Sequence, residues 1–180
     1  MKIKEFVNDY TLVDIETTGL NPVDDEIIEI SAYKVRNNNI IDTYSSLVKP
    51  KYKMISGFIS NLTGITNSML ISERAINIVL PEFLEFLGDD IILGHNIKFD
   101  ISFLNDKANK YLNKSINNNY VDNLLFSRQL LPGMSHSLEN LSHYFNLDTT
   151  GEHRSLKDVE LTYEVYNELR KIYEEKNNNN

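Results

Sequence analysis

The chain has 180 residues, of which 41% are hydrophobic, and its formal net charge is -8 at pH 7. This length supports one compact domain with a substantial core, so we predict a single domain over residues 1–176 and a disordered asparagine tail over 177–180. The chain has no cysteine, which excludes disulfides and thiolate metal sites and suits a cytoplasmic protein, and no stretch approaches the roughly 20 apolar residues of a membrane span.

The N-terminal quarter of the chain carries three predicted strands. Residues 12–16 alternate apolar and polar side chains and form the first strand. Residues 26–35 and 40–48 flank an asparagine-rich turn, so they should pair as a hairpin.

The remaining sequence alternates strands with helices, which together with the first strands predicts an α/β domain built on a mixed sheet. Ser72 is the expected N-cap of a helix that bends or breaks at Pro81 and ends near Gly88. The other predicted elements are a short strand at 91–93, a helix from about 100, a small strand at 120–121, and helices near 123–131, 137–145 and from about 157.

Asp14 and Glu16 in the first strand are the first candidate functional residues. Strand alternation places both carboxylates on one face, with Val13 and Ile15 on the other. Two carboxylates this close repel each other unless a cation lies between them, so the pair predicts half of a site for Mg²⁺ or Mn²⁺. Such ions would also offset the negative net charge where a polyanion is held. The alternative interpretation is two solvated acids at the end of a strand.

Four further polar residues belong to the same predicted site. Asp100 and Asp158 lie at predicted helix starts, Asn96 precedes Asp100 by four positions, and His153 precedes Asp158 by five. Each residue alone is more often a helix cap or a surface group. Their combination at strand ends and helix starts, where α/β folds gather functional groups, predicts one shared site.

The segments around these residues resemble the three exonuclease motifs of the DEDDh branch of the DnaQ-like 3′–5′ exonucleases: residues 14–20, 95–100 and 153–158. That family includes the proofreading exonuclease of bacterial DNA polymerase III. The resemblance extends over about residues 10 to 166. His153 is typical of this branch, because the sister branch would have tyrosine at position 154, where this chain has arginine.

The resemblance implies a ribonuclease H-like fold, with a five-stranded mixed sheet flanked by helices and its second strand antiparallel to the others. It also implies two divalent metal ions, Mg²⁺ or Mn²⁺, and release of nucleoside 5′-monophosphates. By position, Asp14 bridges both ions, Glu16 and Asp158 hold the ion on the nucleophile side, and Asp100 acts through a metal-bound water. His153 is the general base, since an imidazole with an ordinary pKa of about 6.5 can take a proton near neutral pH.

The same resemblance implies where a single-stranded 3′ end would bind. Thr17, Thr18 and Leu20 would hold the terminal 3′-hydroxyl and insert an apolar wedge between the last two bases. Asn96 and Phe99 would line the same end of the site.

Thr63 departs from the pattern of proofreading relatives, which often have histidine there, and this puts one phosphate contact in question. DNA is favoured as the substrate and RNA stays open, as does a partnership with a DNA polymerase. The main alternative is a noncatalytic module that binds nucleic acid or a polymerase; it is less favoured because four clustered acids destabilise a metal-free site. A two-metal hydrolase of small molecules is disfavoured because nothing in the sequence predicts a closed small-ligand pocket.

Overall fold

A computed structural model describes residues 1–2, 4–150 and 153–178 of the chain. Its strands are β1 (Tyr10–Thr17), β2 (Ile27–Arg36), β3 (Asn39–Leu47), β4 (Ile92–Gly94) and β5 (Tyr120–Asp122). They form one sheet in the order β3-β2-β1-β4-β5. β2 is antiparallel to β1 and β3, whereas β4 pairs in parallel with β1 and β5. The predicted five-stranded mixed sheet with a reversed second strand is therefore confirmed.

The described residues also form seven helices that flank this sheet. They are α1 (Gly57–Thr63), α2 (Asn67–Leu70), α3 (Ile76–Leu87), α4 (Lys98–Leu112), α5 (Asn123–Leu130), α6 (Leu138–Tyr144) and α7 (Ser155–Asn178). The buried side chains of α3 and α4 pack on one face of the sheet, and those of α5, α6 and α7 pack on the other.

The alternation of β1 divides its side chains between these two cores. Val13 and Ile15 are buried against the α3 and α4 side. Tyr10 and Leu12 are fully buried on the α7 side, where Tyr10 meets the ring of Tyr166 edge-on at 5.4 Å. Because side chains two positions apart share a face, the row that starts with Tyr10 and Leu12 continues into the two acidic residues at the end of the strand.

The predicted N-cap of α3 was wrong, and of the bend or break expected at Pro81 the break does not occur. The helix begins at Ile76 after an extended Ala75, not after Ser72, because Ala75 is held in a bridge to Lys49 beyond the end of β3. Pro81 does not break the helix, which continues to Leu87. One missing backbone donor is offset by the apolar face that this helix buries in the core.

The short helices α1 and α2 were not predicted. Both have local caps, since the hydroxyls of Ser56 and Thr66 accept backbone N–H groups of the first turns. They enclose a small separate core that includes Ile28 of β2, Ile59 and Leu70. Segments of seven and four residues contain too few turns to show a helical period in sequence.

α7 extends two residues into the predicted disordered tail, because Asn177 and Asn178 are helical. The preceding glutamates and lysine are good helix formers, and a helix that is already nucleated extends at little further cost. Residues 179–180 lie outside the described part of the chain. No helix within the described ranges is long and apolar enough to cross a membrane.

Candidate active site

Three of the predicted site residues meet at the carboxyl end of β1. Asp14 and Glu16 come from that strand, and Asp158 comes from the first turn of α7. One carboxylate oxygen of each residue lies within 4.8 Å of the corresponding oxygens of the other two. An all-oxygen donor set with this spacing fits a hard divalent cation such as Mg²⁺ or Mn²⁺.

Asp100, in the first turn of α4, lies immediately behind this group. Its side chain is only 5% exposed, and one carboxylate oxygen accepts the N–H of Ile15 at 3.1 Å. Its charge is close enough to Asp14 to raise the pKa of that residue. The structure therefore brings together all four predicted acids, with Asp100 as the most buried.

Burial and mutual repulsion favour the protonated forms of these acids when no cation is bound. Burial, reinforced mainly by the charges of Asp158 and Glu29, raises the pKa of Glu16 to about 8. Burial also raises the pKa of Asp100 to about 8 and that of Asp14 well above its ordinary value. A divalent cation would displace the protons and offset the repulsion between the charged carboxylates.

His153 lies in the approach to α7, beside the acids but exposed to solvent. Its backbone has a left-handed φ of 67°, and its N–H donates to Oδ1 of Asp158 at 3.2 Å. The backbone of His153 therefore lies against the carboxylate cluster, and its imidazole is a side chain that can exchange protons with water.

The predicted 3′-end residues lie in the turn after β1. The Thr17 hydroxyl donates to the carbonyl of Gly19 at 2.6 Å, and the Thr18 hydroxyl accepts the N–H of Glu26 at 2.9 Å. Leu20 is 85% exposed. The threonine hydroxyls therefore stabilise the turn itself, and the turn presents an apolar side chain to solvent.

Asn96 lies in the adjoining turn between β4 and α4, and Phe99 lies in the first turn of α4. Asn96 has a left-handed φ of 60°, and its N–H donates to Oδ1 of Asp122 at 3.0 Å. Phe99 is half-buried, with its ring centroid 4.9 Å from that of Phe103. The substrate contacts of these two residues and of the β1 turn stay predictions.

The sequence pattern of the RNase T family, which is described as an exonuclease family, matches residues 11–166 of the chain. The chain belongs to this exonuclease family. The epsilon subunit of DNA polymerase III from Aquifex aeolicus is 40% identical over 158 residues, which cover 87% of this chain and 78% of that protein. The PolC-type DNA polymerase III of Thermotoga maritima is 41% identical over 157 residues, but these represent only 11% of its length. The prediction of a DnaQ-like 3′–5′ exonuclease enzyme is confirmed.

Solved exonuclease structures share the fold of this family member. Exonuclease X in complex with 5′ overhanging duplex DNA superimposes with a TM-score of 0.70 at 24% identity, over 88% of this chain and 89% of that one. Escherichia coli exonuclease I in complex with a dA16 oligonucleotide gives a TM-score of 0.77 at 18% identity, over 87% and 39% of the two chains. The ribonuclease H-like fold is therefore confirmed.

Glu29, for which no role was predicted, is a buried acid beside the candidate active site of this exonuclease. Glu29 lies opposite Glu16 in the β1–β2 register and forms an ion pair with Arg154, with a 2.6 Å separation. A single acid within the otherwise apolar stretch 27–30 was the available sequence signal.

Thr63 has its hydroxyl engaged inside α1 and its C-terminal turn. The hydroxyl donates to the carbonyl of Ile59 at 2.9 Å and accepts the N–H of Ile65 at 3.1 Å, and the residue is buried. This threonine stabilises the end of a helix and does not present its hydroxyl to a substrate phosphate.

Proposed function

We propose that this exonuclease removes nucleotides from the 3′ end of single-stranded nucleic acid, with DNA favoured over RNA, and releases nucleoside 5′-monophosphates. The observation that supports this most directly is the meeting of Asp14, Glu16 and Asp158 within 4.8 Å. Relatives that are named as DNA polymerase III subunits favour DNA as the substrate.

The acids would hold two divalent ions, with Asp14 shared between them and Glu16 and Asp158 on the nucleophile side. Such ions supply charge that stabilises the attacking and leaving oxygens of an in-line displacement at phosphorus. Asp100 supports Asp14 from behind and fixes the end of β1 through the Ile15 N–H. His153 would take a proton from the attacking water.

The terminal nucleotide would bind between the two turns that border the acids. Thr17 and Thr18 keep the first turn rigid through their own hydrogen bonds, and the exposed Leu20 would pack against the terminal base. Asn96 and Phe99 would close the other side. A site that holds a free end in this way should reject a strand without one.

The test compares linear and circular single-stranded DNA, the linear form carrying a 5′ label, in Mg²⁺, Mn²⁺ or EDTA. We expect progressive shortening of the linear strand with the label retained, an intact circle, and no reaction in EDTA. Asp14→Asn should abolish shortening, and the matched control is Asp42→Asn, which makes the same change at an exposed acid of β3. Cutting of the circle or metal-independent turnover would refute the proposal. Cleavage of an RNA strand of the same sequence shows whether the enzyme prefers deoxyribose or ribose in its substrate.

The same assay separates catalysis from the alternative of a noncatalytic binding module. Such a module would bind the labelled strand and leave its length unchanged in every metal. The polymerase relatives also support a DNA polymerase as partner and a cytoplasmic location. Co-elution of the chain with the purified replicative polymerase of its own organism in size-exclusion chromatography tests that partnership.

A further inference from the structure

Glu29 is a buried carboxylate on the catalytic face of the sheet. It lies opposite Glu16 in β2 and is only 2% exposed. Cross-strand partners in an antiparallel pair share a face, so Glu29 points to the side that carries Asp14 and Glu16. A buried carboxylate is stable only with hydrogen-bonding or charged partners.

The partners of Glu29 come from the segment that follows His153. The Arg154 guanidinium donates to both carboxylate oxygens, through Nε at 3.2 Å and Nη2 at 2.6 Å. The N–H of Ser155 donates to the same carboxylate at 3.1 Å, and the Ser155 hydroxyl donates to that of Ser31 at 2.7 Å. Four hydrogen bonds therefore attach the start of α7 to β2.

Both carboxylate oxygens of Glu29 accept hydrogen bonds from protein N–H groups. Among the described residues, the group of three carboxylates close enough together to share an ion consists of Asp14, Glu16 and Asp158 and does not include Glu29. Glu29 accepts three N–H donors instead. Its position beside the acids and its partners next to His153 indicate a role in placing the loop.

The backbone of His153 supports this interpretation. A non-glycine residue adopts a left-handed φ only where its surroundings hold it there. On one side, Asp158 accepts the His153 N–H. On the other side, the next residue is clamped to Glu29 through a two-point hydrogen bond, which has a defined direction as well as strength.

We propose that Glu29 is a positioning residue, which acts through Arg154 to fix the position of His153 beside the carboxylate cluster of Asp14, Glu16 and Asp158. This inference depends on the proposed role of His153 as the base. Without the clamp, the acids keep their places on β1 and α7, but the imidazole samples positions away from the attacking water. The expected defect is therefore in turnover and not in binding of metal or substrate.

The first experiment measures kcat and KM on a linear single-stranded oligonucleotide for Glu29→Gln. We expect kcat to fall about 10- to 100-fold, as for a misplaced catalytic group, while KM and the Mn²⁺-induced rise in melting temperature stay within about twofold. The matched control is Asp90→Asn, which removes another carboxylate clamped by an arginine, Arg36, at 2.6 and 2.7 Å. Asp90 precedes β4 and lies at the opposite end of the sheet, so this variant should keep the wild-type kcat. A folded Glu29→Gln variant with wild-type kcat would overturn the proposal.

The second experiment asks whether Glu29 acts through His153. In a His153→Ala background, Glu29→Gln should reduce kcat by less than about threefold, because the group that it positions is already absent. A full multiplicative loss in the double variant would show a general structural effect and overturn the positioning role. If His153→Ala alone keeps wild-type kcat, the proposed base itself fails; if His153→Ala is impaired and Glu29→Gln is not, only the positioning role fails.

Variants of Arg154 keep the test decisive if Glu29→Gln does not fold. The Arg154 side chain is 40% exposed, so Arg154→Gln removes the clamp with little loss of packing. We expect the same loss of kcat, whereas Arg154→Lys, which keeps the charge without the paired N–H groups, should recover only part of it. Wild-type kcat in Arg154→Gln would refute the proposal.

Discussion

At Asp14, burial and four neighbouring carboxylates raise the pKa and favour the protonated acid, so this buried carboxyl group does not stabilise the metal-free fold. Asp14→Ala should therefore abolish nearly all cleavage while the metal-free protein melts at the same temperature or higher. Cleavage assays and thermal melting with and without Mn²⁺ measure both effects. Cleavage at the wild-type level would remove Asp14 from the site.

The proposed role of His153 as general base belongs to its side chain, and the bond from its backbone N–H to Asp158 does not require the imidazole. General-base catalysis contributes about 10²–10⁴-fold, so His153→Ala should lower kcat by that amount with metal binding nearly intact. His143→Ala is the control, since His143 belongs to the last turn of α6. A His153→Ala variant within threefold of the wild-type kcat would place the proton transfer elsewhere.

The acids that the structure brings together could be predicted from the sequence because each one lies in a recognisable local segment; their catalytic roles stay proposals. Asp14 and Glu16 are two positions apart in a strand, and Asp100 and Asp158 each lie in the first turn of a helix. Glu29 could not be assigned in this way, because the role proposed for it depends on Arg154, 125 positions away. That contact depends on the β1–β2 register and on how α7 packs, and tertiary packing decides both.

At the scale of elements, the predicted strands and most predicted helices were found, including the short strands β4 and β5, whereas α1, α2 and the start of α3 were not predicted. Successive side chains of β1 and β2 lie on opposite faces of the sheet, and most of them are buried. The apolar residues of both strands therefore predicted them from the sequence. The start of α3 was mispredicted because the bridge between Lys49 and Ala75 keeps the chain extended where a serine cap was available. At this position a tertiary contact overrides the local preference of serine for a helix N-cap.

Gly94 at the end of β4 allows the close approach of the turn that leads to α4. A Cβ atom there would lie 2.4 Å from Cδ1 of Ile97 and 2.9 Å from the carbonyl oxygen of Val13. Gly94→Ala should therefore lower the free energy of unfolding by about 1–3 kcal/mol. Gly57→Ala is the control, because nothing lies within 4 Å of the added methyl group. Urea denaturation measures both, and equal stabilities of the two variants would contradict the steric argument.

Arg170 anchors the C-terminal half of α7 to two loops. Its guanidinium donates to the carbonyl of Val7 and to the side chains of Asn8 and Asn38, and the residue is only 8% exposed. Arg170→Met should cost about 2–4 kcal/mol of unfolding free energy, because it removes the hydrogen bonds that a buried charged side chain makes to three residues. The kcat of the folded variant should stay at the wild-type level, since other bonds hold the start of α7.

The neighbouring exposed Lys171 is the control for this anchor. It pairs with Glu168 at 2.6 Å on the surface of α7, so Lys171→Met should change stability by no more than about 0.5 kcal/mol. If chemical denaturation shows equal losses for both variants, the buried anchor does not stabilise the helix as described.

At the scale of the whole molecule, the carboxylate cluster couples folding to pH and to divalent cations. The pKa values of Glu16 and Asp100 are about 8 in the folded protein, against ordinary values of 4.5 and 3.8. Between about pH 5 and pH 8 the folded state holds more protons than the unfolded state, so the metal-free protein should lose stability as pH rises. Unfolding in urea with EDTA at successive pH values measures this slope.

Cations should reverse this trend, because they bind the deprotonated acids. The rise in melting temperature with Mn²⁺ should be larger at pH 8 than at pH 5, where protons compete for the same oxygens. Glu16→Gln should flatten the slope seen without metal. A metal-free protein that becomes more stable from pH 5 to pH 8 would contradict the pKa values that burial raises.

The separation of the catalytic acids along the chain has a consequence for biosynthesis. Asp14 and Glu16 are incorporated early in synthesis, and Asp158 lies 142 positions after Glu16. At about 5–20 residues per second, the ribosome adds Asp158 roughly 7–28 s after Glu16. During that interval the growing polypeptide lacks the helix that completes its carboxylate cluster. If these acids carry the catalysis as proposed, the nascent chain should be inactive on nucleic acid near the ribosome, and activity should begin only when α7 docks on the finished sheet.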